Sequence, residues 1–180
     1  MANYVFNGNG NKENRELPTY YLTQQNIDHL PAQCGPLALY NYLYQRRVPI
    51  SPQYLIEQCK AHLGYGTKAN SFDKVISFLN KIFINISLRR YSPAECTLES
   101  IKQTLDTGRS VIILYHWVDG ANSGNHYALI DAIYNDYGQY KFRVINHSFE
   151  TPVKIVCARE IKSMLLPHTD KHFTTPVIWS

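Results

Sequence analysis

Pro31-Ala32-Gln33-Cys34-Gly35-Pro36-Leu37-Ala38-Leu39 places a cysteine at the head of a helical apolar pattern, and the reading of the chain turns on this stretch. Leu37, Ala38, Leu39, Tyr42 and Leu43 fall at helical spacing up to Arg46, which makes Cys34 a helix-start residue. An unperturbed thiol, with a pKa of about 8.5, is only about 3% ionised at neutral pH, so a nucleophilic cysteine must have its thiolate stabilised. A helix start does this with unpaired N–H groups and the positive end of its dipole. A nearby imidazolium lowers the thiol further. Gly35 gives the backbone a close approach, and Pro36 surrenders an N–H that would have no helical partner.

Downstream, Ser51 reads as an N-cap with Pro52 at the first helical position, and Leu55, Ile56, Cys59 and Leu63 share one face before Gly64 and Gly66. A third helix runs from about Ser71 through Phe72, Val75, Ile76 and Leu79. A fourth is capped near Thr97, carries Leu98, Ile101 and Leu105, and stops at Gly108. The period then becomes strand-like. Residues 110–115 form a short apolar run and 127–134 a second strand; Asn135-Asp136-Tyr137-Gly138 turns the chain into a hairpin partner over 140–146. A further strand at 153–157 precedes a short helix through Ile161, Met164 and Leu165. Helices first and an antiparallel sheet afterwards predict an α+β domain with two segregated lobes. Residues 1–18 are polar and aperiodic, an extension or irregular segment ahead of a single domain over 19–180.

The base belongs on the sheet lobe, far from the cysteine in sequence. Ser123-Gly124-Asn125-His126-Tyr127 puts His126 where a glycine-containing loop enters a strand. Arg143-Val144-Ile145-Asn146 ends the hairpin partner, and a turn near 136–138 returns Asn146 to the side of His126. An Asn side-chain carbonyl there can accept the ring N–H and hold the tautomer. His116, ahead of Trp117, is the competing base, but no acceptor side chain follows it at hairpin spacing.

Cys34-Gly35-Pro36, Tyr40-Asn41-Tyr42-Leu43, residues 108–113, Asn125-His126-Tyr127-Ala128-Leu129-Ile130 and Val144-Ile145-Asn146 together resemble the papain-like cysteine peptidase superfamily. The nearest look is the domain that trims bacteriocin leader peptides, with its stand-alone relatives. The likeness runs over residues 24–165. It implies a papain-like two-lobed fold, with the nucleophile at a helix start in an N-terminal helical lobe packed on a C-terminal antiparallel sheet. It also implies a thiol-dependent hydrolase, a peptidase or isopeptidase, acting on a peptide or protein with Cys34, His126 and Asn146 and with no cofactor. The same triad serves acyl transfer, transglutamination or deamidation, and the fold also serves binding without chemistry. Those families place an oxyanion-hole Gln five or six residues before the cysteine, where this chain has Asp28 and His29. Gln25 is the expected donor, with Gln24 as the alternative. Asn146 stands where the leader-trimming domains usually carry Asp.

Length and composition fit this reading: 180 residues, 44% apolar and 18% charged, make one ordinary globular domain. The net charge is +4, and the tight basic clusters are two Arg pairs, Arg46-Arg47 and Arg89-Arg90, too few for a nucleic-acid stripe. No 18-residue apolar run and no signal-peptide pattern occur, so neither membrane partner nor export is expected. Four cysteines without framework spacing point to a soluble protein of a reducing compartment, the cytoplasm or a cytosol into which it is delivered without a cleaved signal. Cys59 and His62 lack the second pair a zinc site requires. Cys59 and Cys157 read as core positions and Cys96 as a loop residue. Alone, Cys34 would read as a core thiol too; the His126 and Asn146 contexts make it a nucleophile. Oligomeric state is not legible.

Overall fold

The computed structural model describes residues 6–7, 33–59, 67–119, 122–148, 151–167 and 176–180. In chain order these form β1 (Phe6–Asn7), α1 (Cys34–Gln45), α2 (Pro52–Gln58), α3 (Ala69–Ile82), a 3₁₀ turn (Pro93–Glu95), α4 (Leu98–Asp106), β2 (Val111–Asp119), β3 (Asn122–Asp136), β4 (Gln139–Ile145), β5 (Val153–Cys157), α5 (Ala158–Met164) and β6 (Val177–Trp179). The fold is α+β. Strands β5-β4-β3-β2-β6 are antiparallel neighbours, and β1 adds a short parallel pairing at Tyr134 and Asn135 of β3.

The period-2 alternation of the strands decides which helix covers which face. Ile112 and Leu114 of β2, Tyr127 and Leu129 of β3, Ile145, Val177 and Trp179 belong to one core with α1, α2 and α3. Val111, Ile113 and Tyr115, Ala128 and Ile130, Phe142, Val144, Val156 and Ile178 belong to the other, with α4 and α5. Both faces of the central strands are therefore covered, which is why residues 111–115 read as an unbroken apolar run and not as an alternating one. Each fully buried Leu, Ile or Phe in these cores is worth roughly 1.5–3 kcal/mol.

The starts of α2 and α4 follow from their caps. Ser51 accepts the N–H of Tyr54 at 3.1 Å with Pro52 in the first turn, and Thr97 accepts the N–H of Ser100 at 3.1 Å. Two strands are longer than the apolar pattern predicts. β2 pairs with β3 from Val111↔Ile130 out to Asp119↔Asn122, so His116 and His126 lie within the ladder and not at strand ends. Main-chain pairing carries this outer part of the hairpin, and its residues, Ser123, Gly124 and Asn125 among them, show no apolar period that would have announced it. Cys157, expected in the core, is exposed: on edge strand β5 it is Val156 that enters the core, at 1% exposure. β6, which pairs with Ile112 to Leu114, went unread in the sequence because three residues are too few to show a period.

Between Ile130 and Ala132 the β3–β4 register shifts by one, and Asp131 is the extra residue. Its carboxylate, 1% exposed, takes a bidentate bond from Arg143 of β4, at 2.8 Å from Nε and 2.6 Å from Nη2. Strand β3 is also anchored at Tyr127. Tyr127, Phe72 and Trp179 form an aromatic trio with ring centroids 4.9–5.8 Å apart, the Tyr127 hydroxyl donates to the carbonyl of Thr67 at 3.0 Å, and the Trp179 indole N–H donates to Asp73 at 2.7 Å.

Candidate active site

Helix α1 begins at Cys34 without a side-chain cap: Gln33 stands at the cap position and makes no capping hydrogen bond. The donors that a capping side chain would take are left for the thiol. Cys34 is 6% exposed, and its sulfur faces the N–H of Gly35, the N–H of Tyr127 and the ring of His126. Burial by itself pushes the thiol up. The hydrogen bond and charge of His126, with the two N–H groups, outweigh burial and hold the thiol below its ordinary value. For His126 the signs mirror this. Burial pulls the imidazole down, while the hydrogen bond and charge of Cys34 and the carbonyl of Asn146 outweigh it and hold the ring above 6.5. The two shifts favour the same pair, thiolate and imidazolium.

Cys34 and His126 thus meet as expected, and Asn146 joins them, but through a different atom. His126 Nε2 lies 2.5 Å from the main-chain carbonyl oxygen of Asn146, where a side-chain acceptor was expected. Asn146 is 1% exposed and has φ of 59°, a left-handed conformation that Asn tolerates better than most residues. Its N–H bonds the carbonyl of Pro152 at 2.5 Å. The turn closing the end of β4 therefore aims the carbonyl at the ring.

His116 pairs with Asn125 in the register, one residue along from the Tyr115↔His126 pair, and so points to the opposite face of the hairpin. It is His126 that bonds Cys34. His147 lies near His126 and is pulled down to about 4 by burial and by the charges of Lys154 and His126, which favours its neutral form. Gln24 and Gln25 lie outside the described residues. Among the described residues no group of three His, Cys, Asp or Glu side chains is gathered as a metal ion would require, and no helix is long and apolar enough to cross a membrane.

Several contacts at the site were not legible in the sequence. The Tyr127 N–H reaches the sulfur because the strand continues past His126. Thr67 lies against Gly35 so closely that a Cβ built on the glycine would be 3.0 Å from Thr67 Cβ and 3.1 Å from its Oγ1. The tight fit is what Gly35 is for, and only the glycine itself was visible beforehand.

The described fold is similar to the crystal structure of the peptidase domain of Streptococcus ComA, a bi-functional ABC transporter involved in a quorum sensing pathway. The TM-score is 0.58 at 15% sequence identity, over 84% of this chain and 92% of that one. The fold is papain-like. No protein-family model matches the chain, and no curated protein is significantly similar to it in sequence. In this fold α1 carries Cys34, and the sheet carries His126 on β3.

Proposed function

We propose that this protein is a cysteine peptidase or isopeptidase acting on a peptide or protein substrate. The observation that carries the reading is the mutual bias of Cys34 and His126 toward thiolate and imidazolium, at an uncapped helix start, in a papain-like fold. In the reaction, the Cys34 thiolate attacks the carbonyl carbon of the scissile amide. The oxyanion that develops takes the N–H of Cys34 and the side-chain amide of Gln25, with Gln24 as the alternative. The C–N bond breaks as the His126 imidazolium gives its proton to the leaving amine. Water, losing a proton to His126, then attacks the thioester, and the acid product leaves with the thiol restored. Asn146 orients His126 throughout. The likeness to a peptidase domain favours hydrolysis over acyl transfer or deamidation.

The test is to profile the chain against a peptide library by mass spectrometry, with and without an added amine. Hydrolysis yields products whose mass gain is one water, and amine adducts would indicate transfer instead. Cys34→Ser should abolish turnover, and Gln25→Ala should lower it by about 10²–10³-fold, the scale of losing one oxyanion donor. Cleavage that persists in Cys34→Ser would overturn the reading.

A further inference from the structure

Tyr115 is out of character with its neighbours. It closes a run of Val111, Ile112, Ile113 and Leu114, is 3% exposed and belongs to the core beneath α4 and α5, where a phenylalanine would pack as well. A buried phenol hydroxyl is costly unless bonded. The bond it makes is to the main-chain carbonyl of His147, at 2.9 Å. That carbonyl belongs to the residue after Asn146, whose own carbonyl takes the ring of His126. Tyr115 also stands directly across from His126 in the β2–β3 register, so the two side chains share a face. Its ring meets the imidazole edge to face, with centroids 5.7 Å apart and planes at 89°.

We propose that Tyr115 is a positioning residue for the base: its ring fixes the plane of the His126 imidazole, and its hydroxyl pins the turn that carries the imidazole's acceptor. One side chain thereby sets both ends of the His126–Asn146 bond. The inference rests on the function proposed above. Among the described residues, the polar and titratable groups bearing on His126 are Cys34 of α1, Tyr115 of β2, and Asn146 with His147 after β4. Lys154 and Glu160 act on His147 in turn. A purely structural tyrosine would lower stability and leave the charge state of the Cys34–His126 pair where it is.

The experiment is the pH profile of Cys34 alkylation by iodoacetamide in the intact chain, read by peptide mapping, for the wild type, Tyr115→Phe and Tyr115→Leu, with Tyr140→Phe as a surface control. Tyr115→Phe keeps the ring and loses the hydroxyl. It should shift the acid limb upward and lower the rate at pH 6 by roughly threefold to tenfold, the worth of one hydrogen bond. Tyr115→Leu should lower it further, and the control should follow the wild type. Profiles of Tyr115→Phe and wild type that superimpose overturn the proposal and leave the peptidase reading standing. A wild-type Cys34 that is not labelled ahead of the other cysteines at pH 6 removes both. Should Tyr115→Phe fail to fold, the wild type answers by NMR: the Tyr115 ring carbon bearing the hydroxyl should titrate with the midpoint of the His126 ring, and an invariant Tyr115 signal overturns the proposal.

Discussion

His126 and Asn146 meet at 2.5 Å through the imidazole Nε2 and a main-chain carbonyl, across the open end of the β3–β4 ladder. A carbonyl held by the backbone asks different things of residue 146 than a side-chain amide would: the residue must tolerate a φ of 59° and leave its carbonyl pointing at the ring.

The substitution series at 146 separates these demands. Asn146→Gly keeps the carbonyl and takes the left-handed conformation without strain, so it should retain most of the Cys34 reactivity. Asn146→Asp should also retain much of it, while Asn146→Ala, strained there by about 1 kcal/mol or more, should lose clearly more. Single-turnover kinetics would rank the three. A glycine variant as impaired as alanine would return the orienting role to the Asn side chain.

The charge pair predicts a distinctive reactivity profile. The Cys34 thiol is lowered and the His126 imidazole raised, against the burial of each, and both displacements favour the thiolate–imidazolium pair. As pH rises, alkylation of Cys34 should climb with loss of the thiol proton at a lower pH than for an ordinary thiol. It should then show a second inflection above 6.5, where His126 gives up its proton. At pH 6 Cys34 should be the first of the four cysteines labelled. Cys59, whose thiol burial pushes up to about 12, should stay silent until the chain unfolds. Peptide mapping after brief iodoacetamide exposure decides it, and labelling of Cys59, Cys96 or Cys157 ahead of Cys34 would remove the nucleophile assignment.

Gly35→Ala should be destabilising despite the better helix propensity of alanine. Its methyl would press on Thr67 at 3.0 Å and on Tyr127 Cδ2 at 3.4 Å, and Thr67 is tied through its own carbonyl to the Tyr127 hydroxyl. Overpacking of this kind costs about 1–3 kcal/mol. Thermal unfolding of the variant should show a lower midpoint, and an unchanged or raised midpoint would mean that the 67–69 segment yields freely.

What could be read in advance depended on how far each signal extends along the chain. Cys34 was legible because a helix start has local chemistry in Gly35 and Pro36 and a periodic face behind it. His126 was legible by its place ahead of an apolar strand, although the strand extends four residues before it. The acceptor residue was found and its atom was not. A side chain is written in the sequence, while the direction of a carbonyl depends on a turn whose φ is set by the bond from Asn146 N–H to Pro152. The covering of both sheet faces was hinted at only by the unbroken apolar run of β2. Tyr115 disappeared into that run, since only its partner, a carbonyl 32 residues away, gives its hydroxyl a purpose.

The extra residue at Asp131 has a consequence for how this sequence can change. Before it, even-numbered residues of β3, Ala128 and Ile130, face the core of α4 and α5; after it, the odd-numbered Ile133 does. Deleting Asp131 would restore an unbroken alternation, with Ile130 and Ile133 two apart and still on the face of α4 and α5, and it would leave the phase of His126 against β2 untouched; what it would remove is the carboxylate that Arg143 binds. The extra residue is thus kept for the ion pair it buries and not for the phase of the strand.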